Sequence, residues 1–126
     1  MVGRWIGHLP SGHLMHENIA KAAPVCRELV IGWAAHYAIG IVFATMLIAI
    51  NGLEWARHPT LLPALVFGLL TVAFPFFVMQ PGMGAGVAAS KMPDPNQARL
   101  RSMLTHTIFG LGLYGAALLS VLLIRP

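Results

Sequence analysis

The order of apolar and polar positions divides the chain into three long apolar runs separated by polar segments. The runs cover residues 29–50, 61–79 and 103–124, and none of them contains Asp, Glu, Lys or Arg. An α-helix rises about 1.5 Å per residue, so about 20 such residues cross the roughly 30 Å of hydrocarbon in a bilayer. The pattern therefore predicts an all-α integral membrane helical bundle with three transmembrane helices. Pro75 lies inside the second run, and we expect a kink there because proline lacks a backbone N–H.

The segment before the first run, residues 1–28, is more polar and shows helical periodicity between Pro10 and Pro24. Four apolar residues recur there at helical spacing, with polar side chains on the opposite side. The apolar set is Leu14, Met15, Ile19 and Ala22, and the polar set is His13, His16, Glu17 and Lys21. This pattern predicts a short amphipathic helix on the membrane surface. The expected organisation is thus a leader of residues 1–28 and a transmembrane helical domain of residues 29–126.

Composition supports the membrane interpretation. Hydrophobic residues make up 57% of the 126 positions and charged residues only 10%, against about a quarter charged in an ordinary soluble domain. The lipid bilayer is therefore the first expected partner. The net charge of +4 does not indicate nucleic acid, because no basic face with interleaved aromatic residues and no recognisable nucleic-acid module is present.

The distribution of basic residues predicts the orientation of the chain. Cytoplasmic segments of membrane proteins carry an excess of Lys and Arg, and here most of the basic residues fall on one side of the three predicted spans. That side carries Arg4, Lys21, Arg27, Lys91, Arg99 and Arg101, and the other side carries Arg57 and Arg125. We therefore expect residues 1–28 and 80–102 to be cytoplasmic, and residues 51–60 and the C-terminus to face outward. Trp5 and Trp55 are expected to be interfacial anchors.

The stretch MQPGMGAGVAASK after the second run places Gly82, Gly84 and Gly86 at alternate positions. This spacing is not the GxGxxG of dinucleotide-binding proteins, and the preceding element is a predicted helix rather than a strand. Two interpretations remain. The glycines permit close packing against neighbouring backbones, or their amides, with Gln80 and Lys91 nearby, hold an anionic headgroup or a small polar ligand.

Two histidines lie inside the predicted spans. By the helical rise, His36 is roughly 10 Å and His106 roughly 7 Å from the cytoplasmic boundary, so the two rings could meet. Three alternatives stay open: neutral rings hydrogen-bonded across helices, a haem or metal site with both histidines as ligands, or a proton or substrate path that includes Glu28. The possible hydrogen-bond partners are Thr71, Tyr37, Tyr114 and a carbonyl freed near Pro75.

The leader carries a second group of polar side chains, His8, His13, His16 and Glu17. On the predicted helix His13, His16 and Glu17 would share a face, which is either a solvated polar stripe or a metal site. The sequence HLMHE matches neither HExxH nor HxxEH. The sequence offers no nucleophile and base pair, so we name no catalytic residue.

Long motifs give a resemblance to a known family. The segments VGRWIGHLPSG, GWAAHY, FPFFVMQPGMGAGVAASKMPDP and THTIFGLGLY resemble a family of small bacterial inner-membrane proteins known only as a domain of unknown function. The resemblance covers nearly the whole chain and implies an all-helical membrane protein without an assigned activity. Members of that family usually carry one further hydrophobic segment ahead of VGRW, so a fourth helix is expected to be missing here.

The sequence as a whole predicts a non-enzymatic subunit or accessory protein. Its glycine-lined helix faces would pack against other membrane helices, either of a second copy or of another membrane protein. The alternative is a ligand-binding or transport element, with haem or a metal, centred on His36 and His106.

Overall fold

A computed structural model of the chain describes residues 1–124, and all of its regular structure in that range is helical. Five α-helices occur: α1 Val2–His8, α2 Glu28–Arg57, α3 Leu61–Leu70, α4 Gln80–Gly82 and α5 Pro95–Ile124. Short 3-10 turns cover Leu9–Ser11, Ile19–Lys21 and Val87–Ala89, and a π-helical turn covers Pro75–Met79. The predicted all-α fold with a short N-terminal helix is confirmed. Arg125, expected to mark the outward C-terminus, lies outside the described residues.

Three helical segments are long and apolar enough to cross a membrane: Glu28–Arg57, Leu61–Gly82 and Pro95–Ile124. In the most apolar 18 residues of each segment, the share that is buried inside the protein is 6%, 17% and 6%, in chain order. Most of this apolar surface therefore faces away from the protein, as expected for helices surrounded by lipid. The three predicted spans lie within these segments, and α5 begins before the predicted start of the third.

The chain divides into two compact units. The first unit comprises Met1–Gly40 and Ala73–Leu100, and the second comprises Ile41–Val72 and Arg101–Pro126. Both α2 and the second apolar segment contribute residues to each unit. The predicted division into a leader of residues 1–28 and a domain of residues 29–126 stays a prediction.

Helix α2 extends beyond the predicted first span. Gly52 takes φ 82° and ψ 167° and interrupts the helical backbone, and helical structure then continues to Arg57. Glycine adopts this left-handed φ at little cost because it has no Cβ. The Trp55 indole donates a hydrogen bond to the carbonyl of Thr60 at 3.2 Å. The expected outward connection of residues 51–60 is therefore partly helical.

The second apolar segment is irregular where Pro75 was expected to disturb it. Helix α3 ends at Leu70, a turn covers Thr71 and Val72, and the π-helical turn begins at Pro75. Proline cannot donate to the carbonyl four residues earlier, so the regular α-helical pattern cannot pass through this point. The regular α-helix is thus interrupted near Pro75, and the predicted kink stays a prediction.

The amphipathic helix predicted between Pro10 and Pro24 is wrong. The α-helix of the leader is α1, and residues 12–18 have no helical structure. Gly12 takes φ 81° and ends the 3-10 turn after α1. The amides of His16 and Ile19 then donate to the carbonyls of Gly82 and Met83. These amides are bonded to a distant segment, so they are not used in a local helix.

Candidate functional site

In the first unit the leader packs on the glycine-rich segment through close backbone contacts. The amide of His16 donates to the Gly82 carbonyl at 2.9 Å, and the amide of Ile19 donates to the Met83 carbonyl at 3.1 Å. A Cβ on Gly84, which has φ 90°, would overlap the backbone of His16 and Glu17. The glycine at position 84 is therefore required both by its φ and by this approach.

Trp5 of α1 completes this contact. A Cβ on Gly82 would lie 2.7 Å from the indole Nε1 of Trp5, which donates to the carbonyl of Leu14 at 2.9 Å. Only 8% of Trp5 is exposed. The ring is therefore buried against the Gly82 backbone. The expectation that Trp5 is an interfacial anchor stays a prediction.

The amides of the glycine-rich segment are used within it. Met83 N donates to Met79 O at 2.9 Å, Gly84 N to Pro81 O at 3.0 Å, and Ala85 N to Gln80 O at 2.8 Å. Gly86 is buried with φ 76°, Gln80 is partly buried and Lys91 is exposed. A headgroup or ligand site at Gln80, Gly82, Gly84, Gly86 and Lys91 stays a prediction, and the amides of residues 83–85 would not be its free donors.

An ion pair links α1 to the start of α2. Arg4 donates from Nε to Glu28 Oε2 at 2.8 Å and from Nη2 to Glu28 Oε1 at 2.9 Å. Its remaining nitrogen, Nη1, donates to the carbonyls of Ala20 and Ala22, each at 3.2 Å. The hydrogen bond with Glu28 raises the pKa of Arg4 above its usual value. Arg4 therefore connects the leader to α2 through a bidentate ion pair with Glu28. Such bidentate, charged hydrogen bonds are stronger than hydrogen bonds between neutral groups.

The polar residues of the leader form a different arrangement from the predicted helical face. His8 Nδ1 and His16 Nε2 are 2.8 Å apart, and His16 Nδ1 lies 3.4 Å from the Gly82 carbonyl. His13 is exposed and its Nδ1 lies 3.2 Å from the Ser11 hydroxyl. The expected common face of His13, His16 and Glu17 is wrong because residues 12–18 are not helical. Within residues 1–124 no three His, Cys, Asp or Glu side chains are grouped to hold a metal.

His36 lies on an exposed face of α2 in the first unit. Its ring centroid is 5.8 Å from that of Trp33 and 5.7 Å from that of Tyr37, and all three side chains are exposed. Gly32, one turn before His36 on α2, packs against α1, since a Cβ on Gly32 would lie 3.2 Å from Gly3 N. The expected burial of His36 against another helix therefore does not occur in the first unit. A shallow groove of about 310 Å³ follows this face, lined by Met1, Val2, Gly3, Leu29, Gly32, Trp33 and His36.

His106 of the second unit, in contrast, has a hydrogen-bond partner. Its Nδ1 lies 2.8 Å from Thr71 Oγ1, and the same hydroxyl donates to the Gly68 carbonyl at 2.6 Å. Thr71 has one hydroxyl proton, which the Gly68 carbonyl accepts, so His106 Nδ1 must carry the proton of the other bond. Among the hydrogen-bond partners expected for His106, Thr71 is the one that contacts it. The Nε2 atom of His106 keeps its lone pair.

This hydrogen bond lies beside a close crossing of α3 and α5. A Cβ on Gly68 would lie 2.5 Å from Gly110 Cα, and a Cβ on Gly110 would lie 2.9 Å from Ala64 O. Small residues let two membrane helices approach this closely. Ala64 and Gly68 of α3, together with Thr71 directly after it, thus form a small-residue face that packs against α5.

Trp55 packs in the core of the second unit. It is 8% exposed and forms a buried cluster with Leu47 and Ala64, against which Tyr114 packs. Tyr114, a candidate intramembrane polar residue, thus borders the core. The expectation that Trp55 is an interfacial anchor stays a prediction, and its ring is part of this cluster.

The two intramembrane histidines belong to different units. His36 lies in Met1–Gly40 and His106 in Arg101–Pro126. A shared haem or metal site, or a proton path that joins them with Glu28, stays a prediction. Glu28 is already engaged by Arg4 and by the Val25 amide at 3.2 Å. Sequence reasoning named Glu28 and missed Arg4 as its partner, since nothing in the sequence links two residues so far apart.

The fold and these sites define an all-α protein with three helices able to cross a membrane and an N-terminal segment packed on a glycine-rich connection. The sequence model of one family, described as "Protein of unknown function (DUF2938)", matches residues 1–120. The chain belongs to that family, which confirms the resemblance seen in its motifs. No curated protein and no solved structure matches the chain.

Proposed function

We propose that the chain is a non-enzymatic integral protein of a bacterial inner membrane that assembles with a second copy of itself through the exposed face of α2. This face consists of Trp33, His36 and Tyr37. In this proposal residues 1–28 and 80–102 are cytoplasmic, as the distribution of basic residues favours.

The exposure of His36 is the observation that supports this proposal. The residue follows Glu28 by roughly 12 Å along a helix without further charges, and 64% of its neighbour Tyr37 is exposed. No hydrogen bond to the His36 ring is formed within residues 1–124. A polar ring that faces acyl chains without a partner is costly. A second protein surface would supply the missing hydrogen bond.

The chemistry of the face favours a second copy as the partner. In a two-fold dimer each surface meets an identical surface, so a useful face carries both donors and acceptors. His36 offers a ring nitrogen as acceptor and Tyr37 offers a hydroxyl as donor, one position apart. The Tyr37 hydroxyl of one protomer would donate to His36 of its partner, and the same contact would occur twice.

Energy transfer between labelled copies tests the proposal. Cys26 is the single cysteine and it is exposed, so donor and acceptor dyes can be attached there without further substitution. In vesicles of phosphatidylethanolamine and phosphatidylglycerol, the wild-type chain should show energy transfer between the dyes that persists when the protein is diluted with lipid. An interhelical hydrogen bond contributes about 0.6–1.7 kcal/mol, and the two-fold dimer contains this bond twice, so His36→Leu and Tyr37→Phe should each weaken association about eightfold or more.

Ile108→Ala provides the matched control, because Ile108 is 67% exposed and offers no polar group. Its dissociation constant should equal that of the wild type. The proposal would be refuted if energy transfer in the wild type disappeared on dilution with lipid. It would also be refuted if energy transfer in His36→Leu equalled that of the wild type. A photo-reactive residue at position 37 that links only to other proteins in native membranes would also contradict self-association.

A ligand-binding role is the second candidate, and the His106 hydrogen bond favours it. Histidines that bind metals usually donate their second ring N–H to a neighbouring acceptor, as His106 does to Thr71. Nε2 of His106 would then be the ligating atom for haem or a metal. The absorption spectrum of the purified chain tests this role. A Soret band that is lost in His106→Ala supports it, and a colourless, metal-free protein refutes it.

A further inference from the structure

We propose that His8 and His13 form a binding site for one divalent late transition metal, such as Zn²⁺ or Cu²⁺, at the end of α1. The predicted metal set of the leader was His13, His16 and Glu17, and the structure points to a different pair. This inference does not rest on the proposed function, because it concerns only the leader.

The hydrogen bonds of His16 fix the protonation of His8. His16 Nδ1 faces the Gly82 carbonyl at 3.4 Å, and a carbonyl only accepts, so His16 Nδ1 carries the proton. In neutral His16 the Nε2 atom is therefore an acceptor. His8 Nδ1, 2.8 Å from that atom, must donate to it. The remaining nitrogen of His8, Nε2, then carries a free lone pair.

The same reasoning applies to His13. The Ser11 hydroxyl donates its one proton to the His8 carbonyl at 2.7 Å. Ser11 Oγ must therefore accept from His13 Nδ1, which is 3.2 Å away. His13 Nε2 is thus also left with a lone pair. No residue in the described range 1–124 forms a hydrogen bond with Nε2 of His8 or His13.

The two rings lie near enough that a small movement of His13 would let both Nε2 atoms reach one ion. Their centroids are 6.4 Å apart and their planes are inclined by 61°, and zinc binds imidazole nitrogen at about 2.0–2.1 Å. His13 is exposed on an irregular segment, so it can approach the more buried His8. Each ring already has its other nitrogen bonded, which is the usual arrangement around a metal-binding histidine.

The ligand types indicate which metals bind. Neutral imidazole suits zinc, copper and nickel, whereas magnesium and calcium prefer oxygen ligands. Because no three such side chains are grouped within residues 1–124, water would complete the coordination and the site would be open. A bound ion would join the end of α1 to the segment that follows Gly12.

Copper titration followed by electron paramagnetic resonance tests the site. The full chain, without a polyhistidine tag and in detergent micelles, should bind one Cu²⁺ with the signature of two imidazoles ligated through Nε2. His13→Ala should remove one imidazole from that signature and weaken binding at least tenfold. Because His13 is exposed, this variant keeps the fold, which circular dichroism verifies. His8→Gln should have the same effect on the copper signal.

Controls separate this site from unspecific histidine binding. His58 is exposed and lies in the second unit, so His58→Ala should leave affinity and imidazole number unchanged. Ser11→Ala should weaken binding without changing the imidazole number, and Ser11→Thr should restore it, since Ser11 only orients His13. A wild-type signal with one imidazole, unchanged binding in His13→Ala, or an equal loss in His58→Ala would overturn the proposal.

Discussion

Replacement of Gly68 by alanine tests the close helix crossing of the second unit. The added Cβ would lie 2.5 Å from Gly110 Cα and 2.7 Å from Gly110 N. Both neighbours are backbone atoms, which cannot rotate away, so α3 and α5 must separate by about 1 Å to reach ordinary contact. Overpacking of this kind costs about 1–3 kcal/mol.

The separation would also affect the hydrogen bond beside the crossing. Thr71 Oγ1 and His106 Nδ1 are 2.8 Å apart, and an increase of about 1 Å breaks such a bond. An interhelical hydrogen bond in a membrane protein is worth about 0.6–1.7 kcal/mol. We therefore expect Gly68→Ala to lower the free energy of unfolding by about 2–4 kcal/mol.

Reversible unfolding in mixed detergent micelles, followed by circular dichroism, measures this change. Gly112→Ala is the matched control on α5, because no atom lies within 4 Å of the Cβ it would add. The control should be neutral or slightly stabilising, since alanine favours helices over glycine. If Gly68→Ala unfolds within about 0.5 kcal/mol of the wild type, the close crossing is not present and the packing of the second unit must be reconsidered.

Three further predictions concern the leader and the His106 hydrogen bond. Gly84→Ala should detach the leader from the glycine-rich segment, which hydrogen exchange would show as faster exchange at residues 12–21. Gly12→Ala is the control, because Gly12 also has a positive φ but a Cβ there would meet no other atom, so its effect should be smaller. Equal exchange rates in the two variants would refute the backbone contact. Thr71→Val should cost about 1 kcal/mol in unfolding experiments and Thr71→Ser should not, and equal losses would show that the hydroxyl is unimportant. Arg4→Lys replaces a bidentate guanidinium donor by a single ammonium group. The leader of this variant should be cleaved by proteases under conditions in which the wild-type leader is resistant. Unchanged cleavage would contradict the role of the ion pair.

Periodicity and composition were sufficient to predict the three long apolar helical segments. Ala64, Gly68 and Thr71 fall on one side of a helix by their spacing alone, and the structure places Gly110 against them. The irregularity near Pro75 follows from the missing amide of proline. These features depend on local geometry, which the sequence determines directly.

The leader could not be predicted in the same way. Its apolar spacing favours a helix, but the amides of His16 and Ile19 bond to carbonyls far along the chain. The pairs His8 with His16 and Arg4 with Glu28 likewise depend on how the leader folds back. A single sequence shows which side chains could form such contacts, but not which of them the chain brings together.

The attachment of the leader to the glycine-rich segment has a consequence for how this protein tolerates change. The two bonds that join them run from backbone amides to backbone carbonyls, so they are indifferent to which side chains the leader carries. We expect substitutions at exposed positions such as Leu14 and Met15 to leave these two hydrogen bonds unchanged. The number of residues between His16 and Ile19 is constrained, because one insertion there would move the Ile19 amide away from the Met83 carbonyl. Between these two positions the backbone contact therefore depends on the length of the chain.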